Sequence, residues 1–191
     1  NTSRRLMKNY KKFKTIFDNE KGAYKIKKIG GAWGLACNSI HYIDLISWWT
    51  GENVISVNTE KLNQKWFKSK RLGYFEVTGE LLIKFSKGTE LILQSNLDTK
   101  EESLKINLND KNWMIVESNN NKNISENKNL NGQLELQSKL TGPMVQKILL
   151  DGICELPTFE ESSQQHIIYL NAMLKHWNSS NNCNDIKIPI T

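Results

Sequence analysis

The chain has 191 residues, with 26 Lys plus Arg and a net charge of +6. With 38% hydrophobic and 24% charged residues, the composition excludes an intrinsically disordered chain, and folding should bury roughly 70% of the unfolded surface. The longest apolar stretches are about half the length needed to cross a bilayer, so no membrane partner is expected. Three widely spaced cysteines predict a cytoplasmic protein without a disulfide framework.

The first predicted element is a helix over 2–22, capped by Thr2 or Ser3 and ended by Gly22. An imperfect strand over 23–31 follows, in which Lys28 shares the parity of Tyr24 and Ile26. A second helix is predicted to begin at Asn38 or Ser39, to run through about Thr50 and to stop at Gly51. It is apolar nearly all round, which indicates burial.

From 54 to 136 the apolar residues recur at period two, which predicts five or six strands in an antiparallel meander. The last of these strands falls at 132–138, after an Asn-rich loop at 117–132. Two helices are expected at 138–153 and 157–177, the second opened by a capping box of Thr158 and Glu161. The fold class is therefore α+β, with an open, mostly antiparallel sheet and helices on one face.

Two basic stretches, 4–14 and 61–71, interleave lysine and arginine with aromatic residues. Such a pattern can bind phosphates and stack on bases, but it is also typical of a solvated, lysine-rich surface. A basic surface would equally suit anionic small molecules, including nucleotides and acidic sugars. We expect no nucleic-acid partner.

Phosphate-binding glycine loops are absent, since neither G-x-G-x-x-G nor G-x-x-x-x-G-K-[ST] occurs. Cys37 and His41 could face one metal ion from a helix, with Cys154, Cys183, His166 or His176 as further ligands, but a single rather than paired spacing is a weak signal. No metal is expected.

The candidate site lies in the second helix, where Cys37, His41, Asp44 and Trp48 share one face. His41 could donate one ring N–H to Asp44, and the positive helix end near its first turn would keep the ring neutral, as a general base requires. The alternative interpretation is a buried histidine that is hydrogen-bonded to a structural aspartate and has no catalytic role. Small polar groups and one aromatic wall lie close by and indicate a binding site, namely Asn38, Ser39 and Trp33.

The stretch GGAWGLACNSIHYIDLISWWTGE, 30–52, resembles a segment of the C-terminal domain of the glucose-fructose oxidoreductase, inositol dehydrogenase and rhizopine catabolism (Gfo/Idh/MocA) family. That family reads glycine-glycine, then D-x-G-x-H-x-x-D-L, then an aromatic-leucine-glycine ending. His41, Asp44, Leu45 and Gly51 match, whereas Cys37 replaces the first aspartate and Ser39 the glycine. The order of the flanking elements also agrees.

The resemblance implies that residues 1–191 are a substrate-binding and oligomerisation domain, cut from a protein whose N-terminal Rossmann domain holds NAD or NADP. The missing start methionine agrees with this expectation. His41 would then be the proton carrier for a sugar hydroxyl, and Asp44 its orienter. Arg5, with its neighbour Arg4, is a candidate for a carboxylate or phosphate of the substrate.

The resulting hypothesis is a nicotinamide-dependent oxidoreductase of a sugar, nucleotide-sugar or polyol, inactive as this domain alone. A homodimer or tetramer through the open sheet face is expected. The alternative, prompted by Cys37, is a redox-inactive relative that binds or senses a sugar.

Overall fold

A six-stranded sheet with helices beside it organises the part of the chain that this computed structural model describes, residues 2–100, 102–116 and 135–190. A short 3-10 helix at Ser3–Leu6 comes first. The α-helices are α1 (Lys8–Asn19), α2 (Leu35–Thr50), α3 (Gln137–Asp151) and α4 (Phe159–Asn181). The strands are β1 (Lys25–Gly30), β2 (Val54–Leu62), β3 (Phe67–Lys68), β4 (Phe75–Glu76), β5 (Gly79–Phe85), β6 (Glu90–Ser95), β7 (Ser103–Leu108) and β8 (Lys111–Val116).

The strand order of the main sheet is β2-β5-β6-β1-β7-β8, and β3 and β4 form a separate hairpin. β1 runs parallel to β6, with Lys25 opposite Glu90, and antiparallel to β7, with Lys25 opposite Asn107. The predicted mostly antiparallel sheet is confirmed. It is not a simple meander, because β1 inserts between the hairpins β5–β6 and β7–β8 and satisfies its backbone groups on both sides.

Alternating burial shows which face of the sheet carries the helices. Leu81 and Ile83 of β5 and Leu91 and Leu93 of β6 are fully buried, while the residues between them are half-exposed or exposed. α2 packs on β6 and α4 along β2. Helices therefore cover one face, as the period-two pattern and the predicted fold class require.

The first predicted helix is in fact two pieces, the 3-10 helix and α1. Met7 between them has extended backbone angles (φ −71°, ψ 130°) and stands at the cap position of α1, so Thr2 and Ser3 do not cap that helix. Its aromatic residues nevertheless face inward as their spacing predicts. Tyr10, Phe13 and Phe17 surround Trp49 of α2, with ring centroids 5.6, 5.4 and 5.0 Å away.

Helix α2 begins at Leu35, earlier than the predicted start at Asn38 or Ser39, and ends before Gly51 as predicted. Gly34 (φ 76°) and Gly51 (φ 65°) flank it in left-handed conformations that favour glycine. The capping box of Thr158 and Glu161 at the start of α4 is also confirmed.

Two predictions fall on the segment after β8. The predicted Asn-rich loop, 117–132, lies outside the described residues. The predicted strand over 132–138 lies partly outside them, and its last two residues, Gln137 and Ser138, begin α3 instead.

In the described ranges, no helix is both long enough and apolar enough to span a membrane.

Candidate functional site

The N-terminus of α2 is capped from a distant strand rather than by its own sequence. The Glu76 carboxylate of β4 accepts hydrogen bonds from the backbone N–H groups of Ala36 (2.8 Å) and Cys37 (3.0 Å). Burial raises the pKa of Glu76, and these backbone hydrogen bonds oppose that shift. The helix can therefore start at Leu35 without a local cap, because a carboxylate suits its positive end.

The loop before α2 is fixed by Trp33 and Asn38. The Asn38 amide donates to the carbonyl of Trp33 (2.7 Å), and the Trp33 indole N–H donates to the carbonyl of Gln94 on β6 (3.0 Å). The indole is thus attached to the sheet and forms a rigid wall beside the helix start.

A cavity of about 330 Å³ opens beside this loop. Trp33, Cys37, Asn38 and Glu76 line it together with the hairpin tip, residues 67–71, which are β3 and the start of the turn to β4. The size suits a small ligand of monosaccharide scale. Two of the predicted substrate residues, Trp33 and Asn38, therefore come together here.

Asp44 is bound by Arg5. The Arg5 Nε donates to one Asp44 oxygen (3.0 Å) and an Nη to the other (2.6 Å), while another Nη lies 3.5 Å from Glu161. Arg5 is 5% exposed and Asp44 0%. Burial raises the pKa of Asp44, and the hydrogen bonds and charge of Arg5 oppose that shift.

The predicted hydrogen bond between His41 and Asp44 is not found among the described residues, because both Asp44 oxygens face Arg5. Arg5, which was predicted to bind substrate, is instead buried in an ion pair with Asp44. Ser39, also predicted for substrate, is fully buried, and its hydroxyl donates to the carbonyl of Leu35. These side chains hold α2 in place instead of lining the cavity.

His41 lies one turn beyond Cys37, is half-buried, and makes no ring hydrogen bond within the described ranges. Burial, and to a smaller extent the nearby Arg4 and His166 side chains, lower its pKa from 6.5 to about 4. Because α2 begins at Leu35, His41 is in the second turn, beyond the strongest influence of the helix dipole. The ring is neutral at pH 7, as predicted. The cause is burial and neighbouring charge rather than the helix dipole.

This low pKa makes the fold sensitive to acid. Between pH 6.5 and about 4 the unfolded chain binds the His41 proton and the folded chain does not, so stability falls as the pH falls through that window. We expect His41→Gln to reduce the loss of unfolding free energy between pH 7.5 and 4.5 by on the order of 2 kcal/mol. Urea unfolding of the unmodified protein and of His41→Gln at the two pH values measures this difference. The prediction is contradicted if the unfolding free energy of both proteins falls by the same amount between pH 7.5 and 4.5.

Lys28 and Tyr42 form a second polar cluster that was not predicted as functional. Lys28 is fully buried, 3.2 Å from Glu102 and 5.5 Å from the Tyr42 ring centre. The Arg4 guanidinium lies 4.0 Å above the same ring. Lys28 shares the parity of the buried residues Tyr24 and Ile26, and this alternation is the sequence signal that could have indicated its burial. Its contacts with Glu102 and Tyr42 had no sequence signature.

A larger hollow of about 560 Å³ lies between the end of α1 and the β7–β8 turn. None of the predicted site residues lines it, and its Lys111 pairs with its Glu20. We regard the smaller cavity as the candidate site because two of the predicted substrate residues, Trp33 and Asn38, line it. No group of three or more His, Cys, Asp or Glu side chains able to hold a metal ion occurs in residues 2–100, 102–116 and 135–190.

Comparison with known proteins identifies solved structures that share this fold. No protein-family model matches the sequence, and no curated protein sequence matches it either. Among solved structures, the WlbA dehydrogenase from Bordetella pertussis, in complex with NADH and UDP-GlcNAcA, superposes with a TM-score of 0.62 at 18% identity. This similarity covers 100% of the present chain and 62% of that one.

Two further solved structures agree. The myo-inositol dehydrogenase from Lactobacillus casei, in complex with NAD(H) and myo-inositol, has a TM-score of 0.54 at 14% identity, over 100% of this chain and 61% of that one. The aldose-aldose oxidoreductase from Caulobacter crescentus, complexed with glycerol, has a TM-score of 0.54 at 13% identity, over 98% and 62%.

The chain thus spans about three fifths of the length of these structures. Its fold is that of the C-terminal domain of Gfo/Idh/MocA-type oxidoreductases, which confirms the resemblance seen in the sequence.

Proposed function

We propose that residues 1–191 are the substrate-binding domain of a cytoplasmic, nicotinamide-dependent oxidoreductase that acts on a sugar, nucleotide-sugar or polyol. The fold supports this proposal, since the similar structures are dehydrogenases and oxidoreductases. Two of them are described with NAD(H) or NADH together with myo-inositol or UDP-GlcNAcA.

The observation that carries the proposal is the position of His41, one helical turn beyond Cys37, which lines the cavity together with Trp33 and Asn38. Burial lowers the pKa of the His41 ring to about 4, so the ring would be neutral at pH 7. A neutral imidazole can accept the proton of a substrate hydroxyl as the alcohol is oxidised, and return it in the reverse reaction. Trp33 offers an aromatic face for the apolar side of a sugar ring, and Cys37 and Asn38 lie beside it.

In this arrangement Asp44 is a positioning residue. Its ion pair with Arg5 anchors the 3-10 helix Ser3–Leu6 against α2. Arg4, the adjacent residue of that helix, is one of the charges that keep His41 deprotonated. Asp44 therefore acts on the histidine through Arg5 and Arg4, not by a direct hydrogen bond.

The sequence has no glycine-rich phosphate loop, so this chain by itself is not expected to bind a dinucleotide through such a loop. NAD or NADP would be bound mainly by a Rossmann domain elsewhere in the protein, so this domain alone is expected to be inactive. This chain supplies the substrate cavity and the proton acceptor.

The exposed surface of α3 supports a larger protein. Leu149 and Leu150 at the end of α3 are 77% and 74% exposed, and Ile153, just beyond the helix, is 52% exposed. α3 lies beside the 3-10 helix that carries Arg5. Such a row of apolar side chains is typical of a surface that another domain covers.

The uncovered sheet face supports a homodimer or tetramer. Leu82, Ile92 and Ile29 lie half-buried on three neighbouring strands of that face, among lysine and glutamate side chains. Sheet faces of this kind are commonly buried against a partner. Sedimentation of the intact protein should show an oligomer, and a strictly monomeric result would contradict this part of the proposal.

The direct test is a cofactor-reduction assay on the intact protein. NAD⁺ and NADP⁺ are supplied separately with a panel of neutral sugars, acidic sugars, nucleotide sugars and polyols. We expect turnover with one member of the panel and none with the isolated domain. The absence of turnover with every combination would count against an oxidoreductase.

A redox-inactive sugar-binding protein is the second candidate, and Cys37 favours it, since the family motif has an aspartate at this position. Sugar binding without cofactor reduction would favour this alternative.

A further inference from the structure

We infer that the cavity beside α2 binds a substrate that carries an anionic group, a carboxylate or a phosphate, and that the β3–β4 hairpin recognises this group. The inference rests on the proposed function, because it takes this cavity as the substrate site. It deepens that function by narrowing the substrate class from sugars in general to acidic or phosphorylated ones.

The hairpin tip brings three cations to one side of the cavity, namely Lys68, Lys70 and Arg71. All three side chains are exposed, and within the described ranges none makes an ion pair. Some other lysines of the protein are already paired, since Lys11 and Lys147 both pair with Glu155. The charges of the tip are therefore available to a ligand.

The single acidic residue in the described lining, Glu76, does not neutralise this tip. It is 8% exposed, and its two oxygens accept hydrogen bonds from the backbone of Ala36 and Cys37. Because its charge is directed into the start of α2, the opening of the cavity remains positive. An anionic substituent would meet attraction at the opening and little repulsion from inside.

The hairpin is attached firmly enough to place these charges. Trp66 and Phe75 pack on Trp177 of α4, with ring centroids 5.2 and 5.1 Å away. The Phe75 N–H also donates to the carbonyl of Pro189 (2.8 Å), and the Ser69 N–H to that of Tyr74 (2.9 Å). The backbone that carries the three cations is thus fixed relative to the Trp33 wall.

Arg5 was the sequence-based candidate for an anionic group, and it is already bound by Asp44 and 5% exposed. The basic stretch over 61–71, whose charge suits anionic small molecules in general, supplies the exposed cations instead. Arg71 can bind a carboxylate or phosphate in a bidentate manner, while the lysines act as point charges.

The test is a binding measurement on the intact protein by calorimetry, with glucuronate, glucose 6-phosphate, glucose and inorganic phosphate as probes. We expect at least one anionic sugar to bind about tenfold more tightly than glucose at low salt, and the preference to shrink as salt screens the cations. The two anionic sugars distinguish a carboxylate from a phosphate. Inorganic phosphate shows whether the sugar contributes.

The variant K68Q/K70Q/R71Q should lose the preference for the anionic sugar. The matched control K12Q/K139Q/K175Q removes the same number of exposed charges elsewhere and should keep it. Equal binding of glucose, a preference that survives in the hairpin variant, equally tight binding of inorganic phosphate, or no binding of any probe would each overturn the inference.

Failure of the proposed function gives a different result. If anionic sugars bind with the expected preference but no cofactor is reduced, only the oxidoreductase assignment fails. If neutral sugars are oxidised and the hairpin variant turns over normally, only the present inference fails.

Discussion

Replacing Asp44 with asparagine is expected to lower the free energy of unfolding by about 3 kcal/mol, because the buried Arg5 charge then keeps only its longer contact, 3.5 Å, with the half-exposed Glu161 carboxylate. The two hydrogen bonds from Arg5 to Asp44 are 2.6 and 3.0 Å long, and Asp44 is fully buried. An asparagine can keep one acceptor oxygen but cannot neutralise the guanidinium. Urea unfolding at pH 7.5 measures the difference.

Two further variants show that the pair itself is responsible. Asp18→Asn removes the carboxylate of an exposed pair with Lys14 on α1 and should change stability by less than about 0.5 kcal/mol. The double variant Arg5→Met with Asp44→Leu removes both charges and should recover much of the stability. If Asp44→Asn lowered the free energy of unfolding no more than Asp18→Asn does, the ion pair between Arg5 and Asp44 would not be a major source of stability.

Replacing His41 with asparagine in the intact protein is expected to reduce turnover about 100-fold or more, since general acid-base catalysis contributes at least that factor. Asparagine keeps a polar side chain of similar size but cannot take a proton. Because His41 is the proposed proton acceptor rather than a binding group, kcat should fall much more than KM changes. Steady-state kinetics with the substrate identified in the cofactor-reduction assay measure both.

The matched control for this variant is His176→Gln, which replaces a buried histidine that packs on Trp66. It should keep most of the turnover, and thermal unfolding of both variants shows whether they remain folded. Turnover of His41→Asn equal to that of the unmodified protein would remove His41 from the proposed mechanism. The rate of the unmodified protein should also fall at acid pH, because protonation of His41 removes the base.

The parts of the fold that follow from short-range patterns could be predicted from the sequence. β2, Val54–Leu62, begins where the predicted period-two region begins, and the end of α2 at Gly51 and the capping box at Thr158 are where the residues indicated. Each of these features depends on neighbours within a few positions. Local backbone preference and side-chain alternation are sufficient to define them.

The parts that depend on distant residues could not be predicted in this way. The start of α2 depends on Glu76, whose carboxylate lies 40 positions along the chain from Ala36. Likewise, Asp44 pairs with Arg5, which is 39 positions away in the chain, and not with His41 on its own helix. A helical pattern shows which residues share a face, but it does not show which distant side chain arrives at that face.

The central position of β1 has a consequence for how fast the protein can fold. β1 comes early in the chain, yet it pairs with Glu90 on one side, 65 positions away, and with β7 still further along on the other. The hairpins β5–β6 and β7–β8 can form locally, but the sheet joins them only when β1 is brought in from a distance. Because such long loops must close before their contacts are gained, we expect this domain to refold far more slowly than a helical bundle of equal stability.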